Sequence, residues 1–380
     1  MNVALISFSG TITEIHYLNQ LTSGLLDSGR VGQINLALPE YTNVKELTKD
    51  VCLYSFRFPI SLPKAMIESF NPFLHRALLQ HISSVAPDVV HIVFEFRVPF
   101  LLVSTLHHKY PLVTTVHEPK PTIHTLPRVL VLNPIQSANT RLVMKFSDKI
   151  IVHGHKHEDY LTANKVPRHK IRVVPHGDFS FFARQAGKET DSQGSNILFF
   201  GKVTPYKGIE YLIQAAKIIE QQFPGVTITI AGEGGFARYE KLIHGDRHFV
   251  VHNRFISDEE VGELFSKASV VVLPYVDGSQ SSIISIAGTF KKPVVATNVG
   301  NFSEMIQDEK TGFIVPPRDI NALAEAIIKL LSDEKLRREL GENAYEMVRG
   351  KFSWDDIAGQ ALQVYDEAIE AHGALGRNET

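Results

Sequence analysis

Lys202 and Lys207 stand five residues apart across Pro205, directly after the apolar run 196–200 (NILFF) breaks at Gly201. A helix is expected to start at Lys207-Gly208. Two ammonium groups that converge with the free amides of a helix N-terminus form an anion site, suited above all to a phosphate. A lysine pair after a strand is, taken alone, more often a solvated turn, so the assignment leans on the rest of the chain. His117 closes the strand-like run Leu112–Val116, with Thr114 and Glu118 beside it, and is either a reactive strand-end imidazole or simply a capped one. His153, His155 and His157 alternate in HGHKH and invite a zinc reading. They leave a strand for a helix, where side chains two apart need not converge, and no fourth ligand is signalled. Structural roles are favoured, and no metal is expected. Ser9-Gly10-Thr11 follows the first strand, and Gly10 permits the close backbone approach used in strand-to-helix phosphate turns.

The elements that must position these residues alternate short apolar runs with amphipathic stretches, the pattern of βα units on parallel sheets. Strands are expected at 3–8, 34–38, 89–94, 112–116, 149–152 and 171–174, then at 197–200, 226–230, 249–251, 270–273, 294–296 and 313–315. Helices are expected over 208–221, 258–266 and 320–331, the second opened by a Ser257/Glu260 capping box and the third by Asp319. The polar, aperiodic stretch 177–195 reads as a linker between two Rossmann-like domains, 1–176 and 196–352. Residues 353–380 form a capped helix followed by HGALGRNET, expected as a frayed tail. The fold class is α/β.

The 380 residues suit two domains, and 44% hydrophobic with 21% charged residues is the balance of a globular protein. No apolar run approaches the roughly 20 residues of a membrane span, and MNVALISFSG lacks a basic n-region, so it reads as a core strand and not a signal peptide. Cys52 is the sole cysteine, which excludes a disulfide framework and suggests a reducing, cytoplasmic setting. The net charge of −2 divides unevenly: residues 1–175 carry +6 and the remainder −8. A basic first half points to an anionic partner, or else to a dispersed solvated surface. The aromatic, basic stretch 53–82 suits the rim of an acceptor groove or a peripheral contact with the inner face of a membrane, although its part Phe73–Ile82 has apolar residues at core spacing.

FFGKVTPYKG (199–208), AGEGG (231–235), the passage from VHNRFI to VVVLP (251–274), PVVATNVGNFSEMI (293–306) and TGFIVPPRD (311–319) together resemble retaining glycosyltransferases of family 4. VTTVHEP (113–119) and the passage 148–178 extend the resemblance through the first half, to about 350 residues. It implies a GT-B fold: two Rossmann-like domains facing a central cleft, with the C-terminal helix crossing back to the first. By this resemblance Lys202 and Lys207 clamp the donor diphosphate, His117 contacts the transferred sugar, the loop at Gly10 borders donor and acceptor, and Gly232 with Arg254, Phe255 and Ile256 lines the nucleotide pocket. The sequence departs from the family where Glu-x7-Glu normally precedes the PVVA strand, since those positions hold Gly278 and Ile286. The segment PYVDGSQSSIISIAG instead resembles a subgroup with a Ser-Gln-Ser loop. Asp277, one residue before the first missing carboxylate, is the candidate for its sugar contact. Ser281 and Ser282 open a helix whose amides would face the donor phosphate.

The resemblance implies a metal-independent, retaining transferase with no cofactor, using a nucleotide-diphosphate sugar as donor and a glycan or lipid-linked sugar as acceptor, with no nucleic acid partner. The alternatives are a non-catalytic GT-B scaffold or partner subunit, favoured by the missing carboxylates, and a sugar-nucleotide epimerase, which those same losses disfavour.

Overall fold

The computed structural model describes residues 1–44, 47, 50–59, 64, 71–93, 98–119, 140–185 and 195–378. They form two compact units. The first takes in the described residues up to Gly177 together with Trp354 onward, and the second runs from Asp178 to Ser353.

The first unit is built on a seven-stranded sheet of β1 (Asn2–Ile6), β2 (Gln33–Pro39), β3 (Cys52–Phe56), β4 (Val89–Ile92), β5 (Leu112–Thr115), β6 (Lys149–Val152) and β7 (Ile171–Val173), in the order β3-β2-β1-β4-β5-β6-β7. Every pairing is parallel. The central strands are buried on both faces, which is why they read as unbroken apolar runs rather than alternating ones. Side chains still alternate: Val3 and Leu5 pack into one core, Ala4 and Ile6 into another on the opposite face. The first core is closed by helices Ile12–Asp27 and Trp354–Asn378, the second by Pro72–Val85 and Phe100–His107.

The second unit has a six-stranded parallel sheet of β8 (Asn196–Phe200), β9 (Thr227–Ala231), β10 (Phe249–His252), β11 (Val270–Leu273), β12 (Val294–Thr297) and β13 (Gly312–Val315), ordered β10-β9-β8-β11-β12-β13. In both sheets the strand order reverses beside the first strand, between β1 and β4 and between β8 and β11. At such a switch point the loops leaving the C-terminal strand ends diverge and open a crevice for ligands. The expected helix caps are present: Ser257 and Glu260 bond reciprocally, and Asp319 Oδ1 accepts from the amide of Ala322 at 3.0 Å.

The structure adds detail to four expectations. The aromatic stretch after residue 51 contributes an edge strand, β3, whose Leu53 is exposed; residues 60–63 and 65–70 of the stretch lie outside the described residues. The segment expected as linker includes the short helix Ser180–Gln185, and Phe179 and Phe182 are buried in the second core. The turn after Gly201 tightens into a 3₁₀ turn, Pro205–Lys207, so the α-helix begins at Ile209. The expected frayed tail continues as helix to Asn378.

The C-terminal helix is held to the first sheet by polar contacts as well as packing. His91 on β4 joins Tyr365 Oη through Nδ1 and Thr115 Oγ1 through Nε2, both at 2.8 Å and all buried. Glu367 takes Lys149 of β6 at 3.0 Å and Arg172 of β7 at 2.6 Å. Removing the Tyr365 hydroxyl strands a buried imidazole nitrogen, which costs about 1–3 kcal/mol. Tyr365→Phe is therefore expected to lower the unfolding free energy measured by urea titration by that amount.

Candidate functional site

In the second unit the chain after β8 turns at Gly201, whose φ of +114° is open to glycine. A Cβ there would lie 2.6 Å from Lys207 Nζ and 3.6 Å from Ile283 Cδ1. That one point therefore brings together the ammonium of Lys207 and the first turn of helix Ser282–Thr289. The helix has no side-chain cap at Ser281, so its leading amides keep their capacity to bind an anion. Lys207 is buried, with its Nζ 5.2 Å from the centroid of the Tyr275 ring. Burial pushes its pKa below the ordinary lysine value, and the neighbouring Tyr206 acts the other way. Lys202 is exposed. The two lysines that look alike in the sequence are thus unlike in the fold, one fixed by packing and the other free to reach.

The neighbouring loops are stitched to this turn. Val203 donates to the carbonyl of Glu233 at 2.8 Å and Gly235 returns a bond to Val203 at 3.1 Å, which ties the loop after β8 to the AGEGG turn after β9. Gly232 sits in that turn, where a Cβ would meet the Gly201 carbonyl at 2.3 Å. Val276 donates to Tyr206 at 2.8 Å, and Asn301 donates to Ser279 at 2.7 Å, which fixes the Ser-Gln-Ser loop on both sides. Within that loop Asp277 Oδ1 accepts from the amide of Gly278 at 2.8 Å, and Gly278 has φ +157°. Ser281 is buried and Ser282 half-buried at the head of the helix.

The residues expected at the nucleotide divide. Gly232 lies at the Gly201 crossing, as described. Arg254 forms a two-pronged surface ion pair with Glu260, with Nη1 to Oε2 at 2.9 Å, within the capping box of helix Asp258–Lys267. Phe255 is an exposed ring, and Ile256 is part of the hydrophobic core.

In the first unit the loop at Gly10 packs against Tyr41 and Thr42, and Glu14 accepts from the Thr11 amide at 3.1 Å, so a carboxylate already occupies the start of helix Ile12–Asp27. His117 leaves β5 into a buried aromatic cluster with Tyr17, His153, His176 and Trp354. Its Nε2 faces the Val93 carbonyl at 3.1 Å and its Nδ1 faces His153 Nε2 at 2.9 Å, while His153 Nδ1 faces the Val174 carbonyl at 2.9 Å. Each carbonyl requires an N–H, and so does the ring-to-ring contact. Two neutral imidazoles bring only two protons to three contacts. A third would complete the chain, but burial, and after it the charge of neighbouring histidines, holds both rings well below the ordinary histidine pKa. The HGHKH triplet does not converge on a metal: His155 is exposed beside Glu158 at 3.3 Å, whereas His153 and His157 are buried. Neither Tyr275 under Lys207 nor the Tyr17–His176–Trp354 surround of His117 is marked by any local sequence signal, because these partners come from separate elements.

Two parallel-sheet Rossmann-like units define a GT-B protein, and solved structures of this fold superpose on nearly the whole chain. Sucrose-phosphate synthase from Thermosynechococcus elongatus aligns with a TM-score of 0.74 at 21% identity, covering 98% of this chain and 100% of that one. The Anabaena protein HepE, solved in complex with UDP, aligns with a TM-score of 0.73 at 16% identity, covering 96% and 100%. The chain carries two glycosyltransferase domains: residues 37–177 match Glycosyltransferase Family 4, and residues 183–347 match Glycosyl transferases group 1. An uncharacterized glycosyltransferase of Methanocaldococcus jannaschii is 33% identical over 57% of this chain and 59% of its own length. The alpha-D-kanosaminyltransferase of Streptomyces kanamyceticus is 33% identical over 45% of each chain, and the glycogen synthase of Mycobacterium tuberculosis is 25% identical over 73% and 68%. The chain thus spans about half to two thirds of the length of these curated relatives. No helix among the described residues is long and apolar enough to cross a membrane.

Burial holds the pKa of His91 down at about 3 and lowers those of His117, His153 and His176. The unfolded chain, with histidines near their ordinary value of about 6.5, then binds protons that the folded unit refuses. Stability is complete above that value and is lost as pH falls through it, by roughly 1 kcal/mol per such histidine per pH unit. The urea midpoint is expected to drop between pH 7.5 and 5.5, and His153→Gln, which cannot take the proton, to make the drop shallower.

Proposed function

We propose that the protein transfers a sugar, with retention of anomeric configuration, from a nucleotide-diphosphate sugar to a glycan or lipid-linked acceptor. The observation that carries this reading is the convergence at Gly201 of a buried ammonium, Lys207, with the uncapped helix at Ser281. A desolvated cation next to free amides is a preorganised electrostatic site for the charge that develops on a departing nucleoside diphosphate. The family 4 and group 1 domains support the reaction class, and the neighbour solved with UDP supports the donor class. In this reading Lys207 and the amides at Ser281 and Ser282 meet the diphosphate, Lys202 reaches it from outside, and Asp277 meets the sugar. Arg254, Phe255 and Gly232 serve the nucleotide, with the exposed Phe255 ring offering a face to a base. His117 acts in the first unit, toward sugar and acceptor. Bond cleavage places negative charge on the β-phosphate, which Lys207 stabilises, and a β-phosphate oxygen takes the proton of the attacking acceptor hydroxyl. No divalent ion enters the catalytic step, because lysine and helix amides supply the positive charge.

A donor-binding scaffold is the second reading, favoured by Gly278 and Ile286 where the family carries carboxylates. Release of nucleoside diphosphate from UDP-, GDP-, ADP-, CMP- or dTDP-linked sugars separates the two, since a scaffold binds donor without turning it over. NMR of the product's anomeric proton tests retention.

Lys207→Ala is expected to lower kcat/KM by roughly 10²–10³, the cost of removing one preorganised anion-stabilising group. Lys202→Ala should cost less, because an exposed lysine works through solvent. Initial rates at 25 °C should persist in EDTA. Normal turnover by Lys207→Ala would remove the clamp assignment.

Asp277→Asn exchanges an ionised acceptor for an amide of equal size, and transfer is expected to fall by roughly tenfold to a hundredfold. Nucleoside diphosphate affinity, followed by calorimetry, should fall less. Adding Gly278→Glu to that variant is not expected to restore activity, since a φ of +157° is glycine's own region and strains any side chain. Equal losses in binding and transfer would count against the sugar contact.

A further inference from the structure

In the first unit, at the strand ends opposite to His117 and His153, three side chains from distant parts of the chain point at one another. His107 is the last residue of helix Phe100–His107, Asp148 immediately precedes β6, and His372 lies near the end of the C-terminal helix. Asp148 Oδ2 is 3.6 Å from His107 Nδ1 and 3.4 Å from His372 Nδ1, and all three atoms lie within 4.8 Å of one another. The Asp148 side chain is 2% exposed, and the two imidazoles are mostly buried. Both Nδ1 atoms are shut off from solvent and make no hydrogen bond. Asp148 is itself held in place: its amide donates to the Leu112 carbonyl at 2.8 Å, and its Oδ2 accepts from the Leu112 amide at 2.7 Å. Lys170, the neighbouring cation, donates to the carbonyls of Lys145 and Ser147.

The separations are too long for hydrogen bonds, which run to about 3.2 Å. They fit another geometry. Nitrogen and carboxylate ligands at about 2.0–2.2 Å around a tetrahedral ion stand about 3.3–3.5 Å from each other. Two imidazoles and one carboxylate are a ligand set for a borderline divalent ion. The contrast with the cluster Glu220, Asp246 and His248 is informative. There His248 Nδ1 bonds Asp246 directly at 2.8 Å and Nε2 faces the Pro224 carbonyl at 3.0 Å, so the imidazole is satisfied without an ion.

We infer that His107, Asp148 and His372 form a zinc(II) site, with a water in its fourth position, that ties the C-terminal helix to the start of β5 and β6. The inference is independent of the proposed transfer reaction, which routes no step through these residues. Metal-stripped full-length protein, titrated with cobalt(II), is expected to develop the intense visible bands of a four-coordinate site at one equivalent. Zinc should abolish those bands stoichiometrically and raise Tm. His372→Ala and His107→Gln, each with an unchanged far-UV circular dichroism spectrum in the metal-free state, are expected to lose the bands and to weaken zinc binding by at least about a hundredfold. His155→Ala and His248→Ala should behave as the wild type. Absence of four-coordinate bands in the wild type, or their survival in both His107 and His372 variants, would overturn the assignment and leave an ordinary histidine–aspartate ion-pair cluster.

Discussion

The second unit depends on three backbones passing one another with no room for a side chain. A Cβ on Gly232 would meet the Gly201 carbonyl at 2.3 Å, on Gly234 the Val203 carbonyl at 2.2 Å, and on Gly208 the Pro274 carbonyl at 1.9 Å. Real Cβ atoms do not approach backbone that closely, so any substitution must separate the loops after β8, β9 and β11. That separation would withdraw Lys207 from Gly201 and from the first turn of the helix that starts at Ser282. A rigid parallel sheet supplies the strand ends, but the crossing of loops at glycine is what converts strand ends into a defined site.

Lys207 and the histidines of the first unit show two answers to burying a basic group. An ammonium cannot shed its charge near neutrality without a large pKa shift, and its desolvation costs several kcal/mol. The Tyr275 face at 5.2 Å returns about 1–2 kcal/mol of that. The remaining imbalance is one that an anion placed beside Lys207 would relieve. The imidazoles of His117, His153 and His176 avoid the penalty by staying neutral, and their cost appears instead as a proton shortage along the Val93–His117–His153–Val174 chain.

How much of this was legible in the sequence varies with the range of the signal. Buried parallel strands announce themselves as apolar runs, and 149–152 and 270–273 are found where those runs lie. Helix starts are legible where a cap is local, as at Ser257 and Asp319. Edge strand β3 is hidden because Cys52, Leu53 and Ser55 are exposed and give no buried run, and Glu334–Lys351 is too polar for its few buried residues to declare a core face. The site is harder still. Spacing marked Lys202 and Lys207 as a pair, yet only tertiary packing distinguishes them. His107, Asp148 and His372 are separated by up to 265 positions, so no motif could have joined them.

The first unit is not continuous along the chain: its sheet is complete by Val173, but the helix that covers one face begins at Trp354. On the ribosome, the whole second unit is synthesised in the interval. During that time Leu18, Leu21 and Leu25 lack the apolar surface of Ile357, Ala361 and Leu362, and His91 lacks the Tyr365 hydroxyl. Domains tend to fold in the order of their synthesis, and exposed apolar faces are what chaperones bind. The later-made unit is therefore the one able to reach its native state first, and the nascent N-terminal sheet must be shielded until the closing helix emerges.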